Sequence, residues 1–248
     1  MGIFHTVLYQ PIFNLLVFLY GFIPGEEIGF AIIALTILIK LLLWPLMSKS
    51  LKSQKALQNI QPKVEELKEK YSDDRERLAK EMMELYQREK VNPLSSCLPV
   101  IVQLPILIAL YRVLLNGFGT ETLTQLYTFV PNPEFINYVF LGAIDLSVPS
   151  IYLAVLAGYF QFMQTRMLMS RRPPKQVRGK KGAKDEGMLA SMNKSMMYFM
   201  PAITVVIGAS LPAGLTVYWV TVNIVSILQQ QFVFSKIKKD KVEVVVAE

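Results

Sequence analysis

The sequence predicts an all-α polytopic membrane protein with five transmembrane helices, an N-terminal interfacial helix and a helical hairpin in water. Three observations predict it. Of the 248 residues, 52% are hydrophobic and the mean hydropathy is +0.36, which is high for a domain whose surface must face water. Charged residues make up 18% of the chain and are bunched. The bunching leaves nearly uncharged windows of roughly 17–25 residues, long enough to cross about 30 Å of hydrocarbon. Finally, the basic residues fall almost entirely in alternate loops.

The elements follow in order. Segment 1–28 is read as an extracytoplasmic start. Within 6–23, Thr6, Gln10 and Asn14 recur one helical turn apart, so they share one face of an apolar helix lying in the interface. A sixth span is the alternative. Pro24 and Gly25 end it. Transmembrane helix 1 is expected over 29–47, with Lys40 as its only charge. Segment 48–92 carries 11 Lys or Arg and nine Asp or Glu, and reads as a cytoplasmic helical hairpin. Leu57, Ile60, Val64, Leu67 and Tyr71 make one apolar stripe; Leu78, Met82 and Leu85 make the other. The two helices join near Ser72–Asp74, with Asp73 as the expected cap and Glu76 as its reciprocal partner. The narrow stripes predict light packing.

Transmembrane helix 2 is expected over 93–116, bent or locally freed at Pro99 and Pro105. An extracytoplasmic loop follows over 117–148, with a moderately apolar stretch at 135–144. Helix 3 is placed at 149–169 and a basic cytoplasmic loop at 170–194. Helix 4 runs over 195–211, interrupted at Pro201. After a turn at 212–214, helix 5 occupies 213–234, and a basic tail fills 235–248. No internal repeat is visible, which disfavours an inverted-repeat transporter.

Charge sets the orientation. Segments 1–29 and 117–148 contain no Lys or Arg, whereas the hairpin, the second loop and the tail hold 11, 8 and 4 of the 26. The positive-inside rule then places the N-terminus outside and the C-terminus in the cytoplasm. A cleavable signal peptide is not expected, because the first 30 residues lack the positive n-region.

Composition also excludes chemistry. One cysteine, Cys97, forbids an internal disulfide, and one histidine, His5, leaves no Cys/His zinc site. No nucleophile elbow, P-loop or metalloprotease motif occurs, so neither enzyme, metal nor cofactor is expected.

The candidate site is polar and lies inside the spans. Lys40 is costly there, roughly 2.5–3.5 kcal/mol on insertion scales. It sits seven residues from Met47, roughly 10 Å along a helix, so snorkelling is one reading. The other is a wet cavity, supported by Thr36 one turn earlier. Gln103, Gln161, Gln164 and Thr165 sit at comparable depth, and Thr216, Trp219 and Asn223 share a face of helix 5. Singly, each reads as helix–helix glue; together they read as a polar interior with a cationic floor. No predicted span holds Asp or Glu, which weakens the competing reading, a solute transporter or channel. The basic loop and tail, with Arg171, Arg172, Lys175, Arg178, Lys180, Lys181, Lys236, Lys238 and Lys239, read either as topogenic charge or as contacts for an anionic partner.

The run from Thr36 through Lys40 to Trp44-Pro45-Leu46 resembles the first core span of the YidC family of membrane protein insertases. Gln61-Pro62-Lys63, Val91-Asn92-Pro93-Leu94, Cys97 with Pro99, Gln103 with Pro105, and Pro212 through Tyr218-Trp219 with Asn223 and Gln229-Gln230-Gln231 are similar too, in order over about residues 6–235. The resemblance implies five helices around a hydrophilic groove, open to the cytoplasm and to lipid, in the compact bacterial form without a large extracytoplasmic domain. It implies insertion and chaperoning of nascent membrane proteins in the plasma membrane without nucleotide hydrolysis. The ribosome, the protein translocon, the signal recognition particle receptor and the lipid bilayer are the further partners it implies. One residue departs from the pattern: the family usually carries arginine where this chain has Lys40. Lysine keeps the charge but lacks the planar fork, so attraction by charge is retained and bidentate contact is not.

Overall fold

A computed structural model describes residues 2–23, 25–96, 98–117, 120–133, 135–168 and 197–246. The described chain is almost wholly helical. A π turn, His5–Tyr9, leads into α1 (Gln10–Phe22), followed by α2 (Ile28–Leu42), α3 (Trp44–Lys70) and α4 (Arg75–Arg88). A 3₁₀ turn, Pro93–Ser96, precedes α5 (Leu98–Asn116) and the short α6 (Thr120–Leu123). After a two-stranded ribbon, β1 (Val139–Phe140) and β2 (Ile144–Asp145), come α7 (Ile151–Leu168), α8 (Met197–Gly208) and α9 (Ala213–Val246).

Two described helices are long and apolar enough to cross a membrane unaided: Leu98–Asn116, and Ala213–Ile237 within α9. The bent pair α2–α3 makes a third candidate. The protein is thus an all-α membrane protein but for the small ribbon, which sequence reading took as plain loop.

Expected and observed elements differ in several places, among them α8, which runs unbroken through Pro201 where an interruption was expected. Helix 1 and the hairpin do not meet at 47–48. The chain bends by 66° at Leu43, and residues 44–47 already belong to the hairpin's first helix. Pro45 explains the bend, since it has no N–H for the carbonyl of Leu41. The hairpin cap is Asp74, not Asp73: its Oδ1 accepts from Arg77 N at 3.0 Å. The helix starts one residue later than expected, so position N3 holds Arg77 and no reciprocal acid closes a capping box. Finally, the tail does not separate from helix 5, because α9 continues unbroken to Val246.

The hairpin stripes pack as a pair. Ile60, Val64 and Leu85 are buried, while Leu57, Leu67, Tyr71, Leu78 and Met82 are half-buried. Lys63 pairs with Glu89 at 2.5 Å, but both are solvent-accessible, so the pair is worth little.

The core joins α1, α2, α5 and α9. Phe13, Leu16, Ile28, Ile32, Leu110 and Leu215 are almost fully enclosed. α1 is therefore a core element, and its polar stripe faces protein. Asn14 donates to Gln125 O (3.1 Å) and accepts from Tyr127 N (2.6 Å), and Gln10 Nε2 also donates to Gln125 O (3.2 Å). Only Thr6 of the three is exposed.

The ribbon segment closes the same end of the bundle. Helix N-termini present unpaired N–H groups, and here loop carbonyls take them: Ile28 N donates to Asn137 O, Ala213 N to Val148 O and Gly214 N to Leu146 O, at 3.0–3.1 Å. Glu27 Oε2 accepts from Leu141 N at 2.8 Å. Gly29 is needed beneath the ribbon, because a Cβ there would lie 2.2 Å from the Phe140 ring.

Candidate functional site

α9 carries the polar positions that the sequence singles out, and the fold sets a different helix against each. Thr216 Oγ1 donates to Gly208 O at the end of α8 (3.3 Å). Asn223 Nδ2 donates to Ala157 O on α7 (3.2 Å). Gln103 on α5 donates its amide to the hydroxyl of Tyr218. On α7, Gln161 Oε1 accepts from Thr204 Oγ1 of α8 at 2.6 Å. α7 and α8 come close enough for this because Gly158 leaves room: a Cβ there would lie 2.4 Å from Val205 Cγ2.

Lys40 lies on the α2 face that meets α9. It is 7% exposed, and its Nζ donates to Ser226 Oγ at 2.8 Å. Ser226 Oγ in turn donates a hydrogen bond to Val222 O (2.7 Å). An ammonium has three donors, so Ser226 satisfies one of them. Thr36 is buried and turns back on its own helix, donating to Ile32 O at 2.6 Å; no hydrogen bond joins it to Lys40 among the described residues.

The predicted residues therefore separate into three groups. Thr216, Gln103, Gln161 and Asn223 tie helices together through direct hydrogen bonds. Lys40 is a buried cation paired with a neutral hydroxyl. Gln164 and Trp219 are half-buried and make no hydrogen bond among the described residues; Thr165 bonds Gln161 O at 2.9 Å. Of the basic set, Lys236 is exposed on α9, and Lys238 and Lys239 lie on its C-terminal part. Arg171, Arg172, Lys175, Arg178, Lys180 and Lys181 lie outside the described residues.

Sequence reading missed Ser226, and named Gln229 and Gln230 only within the motif of the last span, not as site residues. The stripe Thr216, Trp219, Asn223 continues at 3-4 spacing to Ser226 and Gln230, and that extension was the available signal. Gln229 is 2% exposed and holds the elbow, donating to Trp44 O and to Ser48 Oγ, each at 3.1 Å. Gln230 is equally buried, and its Oε1 has no partner among the described residues. The site is thus a column of hydroxyls and amides along α9 with one cation facing it, and none of its members is an acid, a base pair or a nucleophile with an activating partner.

Comparison with known proteins identifies the family. The family described as 60Kd inner membrane protein matches residues 18–241. Similar chains include the membrane protein insertase YidC of Oleidesulfovibrio alaskensis, 36% identical over 231 residues, covering 93% of this chain and 39% of that protein. That of Cupriavidus taiwanensis is 37% identical over 243 residues, covering 97% and 37%, and that of Rickettsia akari is 33% identical over 236 residues, covering 92% and 38%. The chain spans less than two-fifths of the length of these relatives. A family match over nearly all of its length, with relatives 33–37% identical over more than nine-tenths of the chain, places this chain in the 60Kd inner membrane protein family, that of the YidC insertases.

Proposed function

We propose that this chain is a membrane protein insertase and chaperone of the bacterial inner membrane. Five spans, formed by α2, α5, α7, α8 and α9, surround a hydrophilic groove open to the cytoplasm and to lipid, with the N-terminus outside. The observation that carries this reading is Lys40, a buried cation whose partner among the described residues is a neutral hydroxyl, with no carboxylate paired to it there. A buried charge without a counter-charge is costly, and it is best accounted for by a ligand of opposite sign that comes and goes. The acidic outer tail of a client segment is such a ligand.

The energetics then need no nucleotide. A wet groove shortens the dry distance that the polar tail must cross. The client's own span, about 20 residues at roughly −0.3 to −0.6 kcal/mol each, supplies on the order of 6–12 kcal/mol on entering lipid. The insertase lowers the barrier. The exposed cytoplasmic hairpin guides the entering chain, and the basic loop and tail meet the ribosome; the translocon and the signal recognition particle receptor are further partners in this scheme.

The test is insertion into reconstituted vesicles of a short single-span client with an acidic tail. Vesicles with the protein should insert several-fold more than empty ones. Lys40→Ala should remove most of the gain and Lys40→Arg should keep it. No gain over empty vesicles sinks the insertase reading, and equal activity in all three proteins removes Lys40 from the mechanism.

A further inference from the structure

The elbow carries a second pattern that the polar column of α9 does not use. At the elbow Leu42 ends α2, and beyond the bend Pro45 and Leu46, then Lys49 and Lys52, lie exposed along one face of α3. Leu42 is 78% exposed. The face thus passes from apolar to basic within about 4.5 Å of rise between Leu46 and Lys49. The opposite face, Met47, Ser50, Leu51 and Gln54, is buried.

That opposite face is fastened. Ser50 Oγ donates to Ser95 O (2.7 Å), Gln54 Nε2 to Ser50 Oγ (3.2 Å), and Gln229 clamps the elbow at Trp44 and Ser48. The exposed face is therefore presented in one orientation. The sequence holds no acid between Glu27 and Glu65, so the nearest carboxylate on the same helix is 13 residues, about 20 Å, beyond Lys52. Lys49 and Lys52 are three residues apart, helix neighbours that repel unless an anion sits between them.

Neighbouring helices bring more positive charge to this level. Lys55 Nζ lies 5.1 Å from the Phe234 ring centroid on α9, and the Gln58 amide donates to Leu168 O at the end of α7. The exposed Arg166 and Lys236 are each within two residues of those contacts. Neither α7 nor residues 213–239 of α9 contain an acid.

We propose that Lys49 and Lys52 bind the phosphodiester headgroup of an anionic phospholipid, whose acyl chains lie against Leu42, Pro45 and Leu46. The inference rests on the membrane reading above, since apolar-then-basic is the order of chemistry through one leaflet. An ammonium suits this role, because attraction to a phosphodiester in a fluid leaflet needs the positive charge and no fixed bidentate geometry. The bound lipid would hold the elbow at the headgroup level and so set where the hairpin leaves the membrane.

The full chain in nanodiscs of equal phosphatidylglycerol and phosphatidylcholine, followed by native mass spectrometry of retained lipid, tests this. The wild type should retain phosphatidylglycerol preferentially. Lys49→Gln with Lys52→Gln should weaken that preference about fivefold per lysine, and Lys49→Arg with Lys52→Arg should keep it. Lys80→Gln, an exposed charge on α4, should change nothing. Should the double variant not fold, each single Gln variant carries the same fivefold expectation. Equal retention of both lipids by the wild type, an unchanged preference in folded Gln variants, or an equal loss in Lys80→Gln overturns the proposal. No client is present in this assay, so lipid selectivity and insertion can fail separately.

Discussion

Removing the hydroxyl that faces Lys40 should cost more than removing the whole pair. Ser226→Ala leaves a buried ammonium without its 2.8 Å acceptor. A hydrogen bond to a charged group is worth about 1.5–3 kcal/mol in soluble proteins. Between membrane helices, measured couplings average about 0.6 and reach about 1.7 kcal/mol, because the unfolded state finds partners too. A 7% exposed cation should lie at the upper end of that range, so the expected loss is about 1–2 kcal/mol. Lys40→Met in the Ser226→Ala background removes the unmet charge and should recover most of the loss. The assay is a double-mutant cycle on unfolding in mixed micelles, read by the fluorescence of Trp44 and Trp219. A coupling energy near zero would refute the reasoning, since it would mean that Ser226 is not what solvates Lys40. The same variants in the insertion assay separate stability from function: Ser226→Ala keeps the charge that attracts a client, and Lys40→Met does not.

Two further predictions concern the opposite end of the bundle. Asn14→Ala deletes the acceptor for Tyr127 N and a donor to Gln125 O, so segment 124–127 should detach locally at a cost of about 2 kcal/mol. Hydrogen exchange at the Tyr127 amide should quicken about 30-fold, and unchanged protection would show that α1 does not hold that segment. At the ribbon, hydrogen bonds from Ser147 Oγ (2.6 Å) and then Ser147 N (2.8 Å) hold the Asp145 carboxyl below its ordinary value of 3.8. A depressed folded value means that the stabilisation is complete above pH 3.8 and is lost as pH falls through the folded value. Carboxyl-carbon NMR should give a midpoint below 3.8 that rises toward it in Ser147→Ala; an unmoved midpoint would assign the shift to something other than Ser147.

Much of the helical content was legible because local pattern sets it. The hairpin stripes, the polar face of α9 and the apolar character of α5 follow from residue spacing and hydropathy alone. The anomaly of Lys40 was legible too, because the cost of a charge in an apolar helix needs no tertiary knowledge. The ribbon was not, because strands of two residues carry no readable alternation. The cap was misplaced by one residue, since Asp73 and Asp74 are equally good caps and the turn geometry chooses between them.

The sequence by itself determined that the protein is an apolar, helical chain with a cation inside its first expected span and most of its positive charge gathered in alternate loops. Only the tertiary structure decided what that cation meets. Lys40 and Ser226 are 186 residues apart, as Gln229 is 181 from Ser48, and no local period encodes such pairings. The polar stripe of α1 shows the same limit, for periodicity places three residues on one face but leaves open whether water or protein covers it. The physical reason is common to all of these: hydropathy and spacing set the surface chemistry of each helix, whereas close packing among helices selects which surfaces touch.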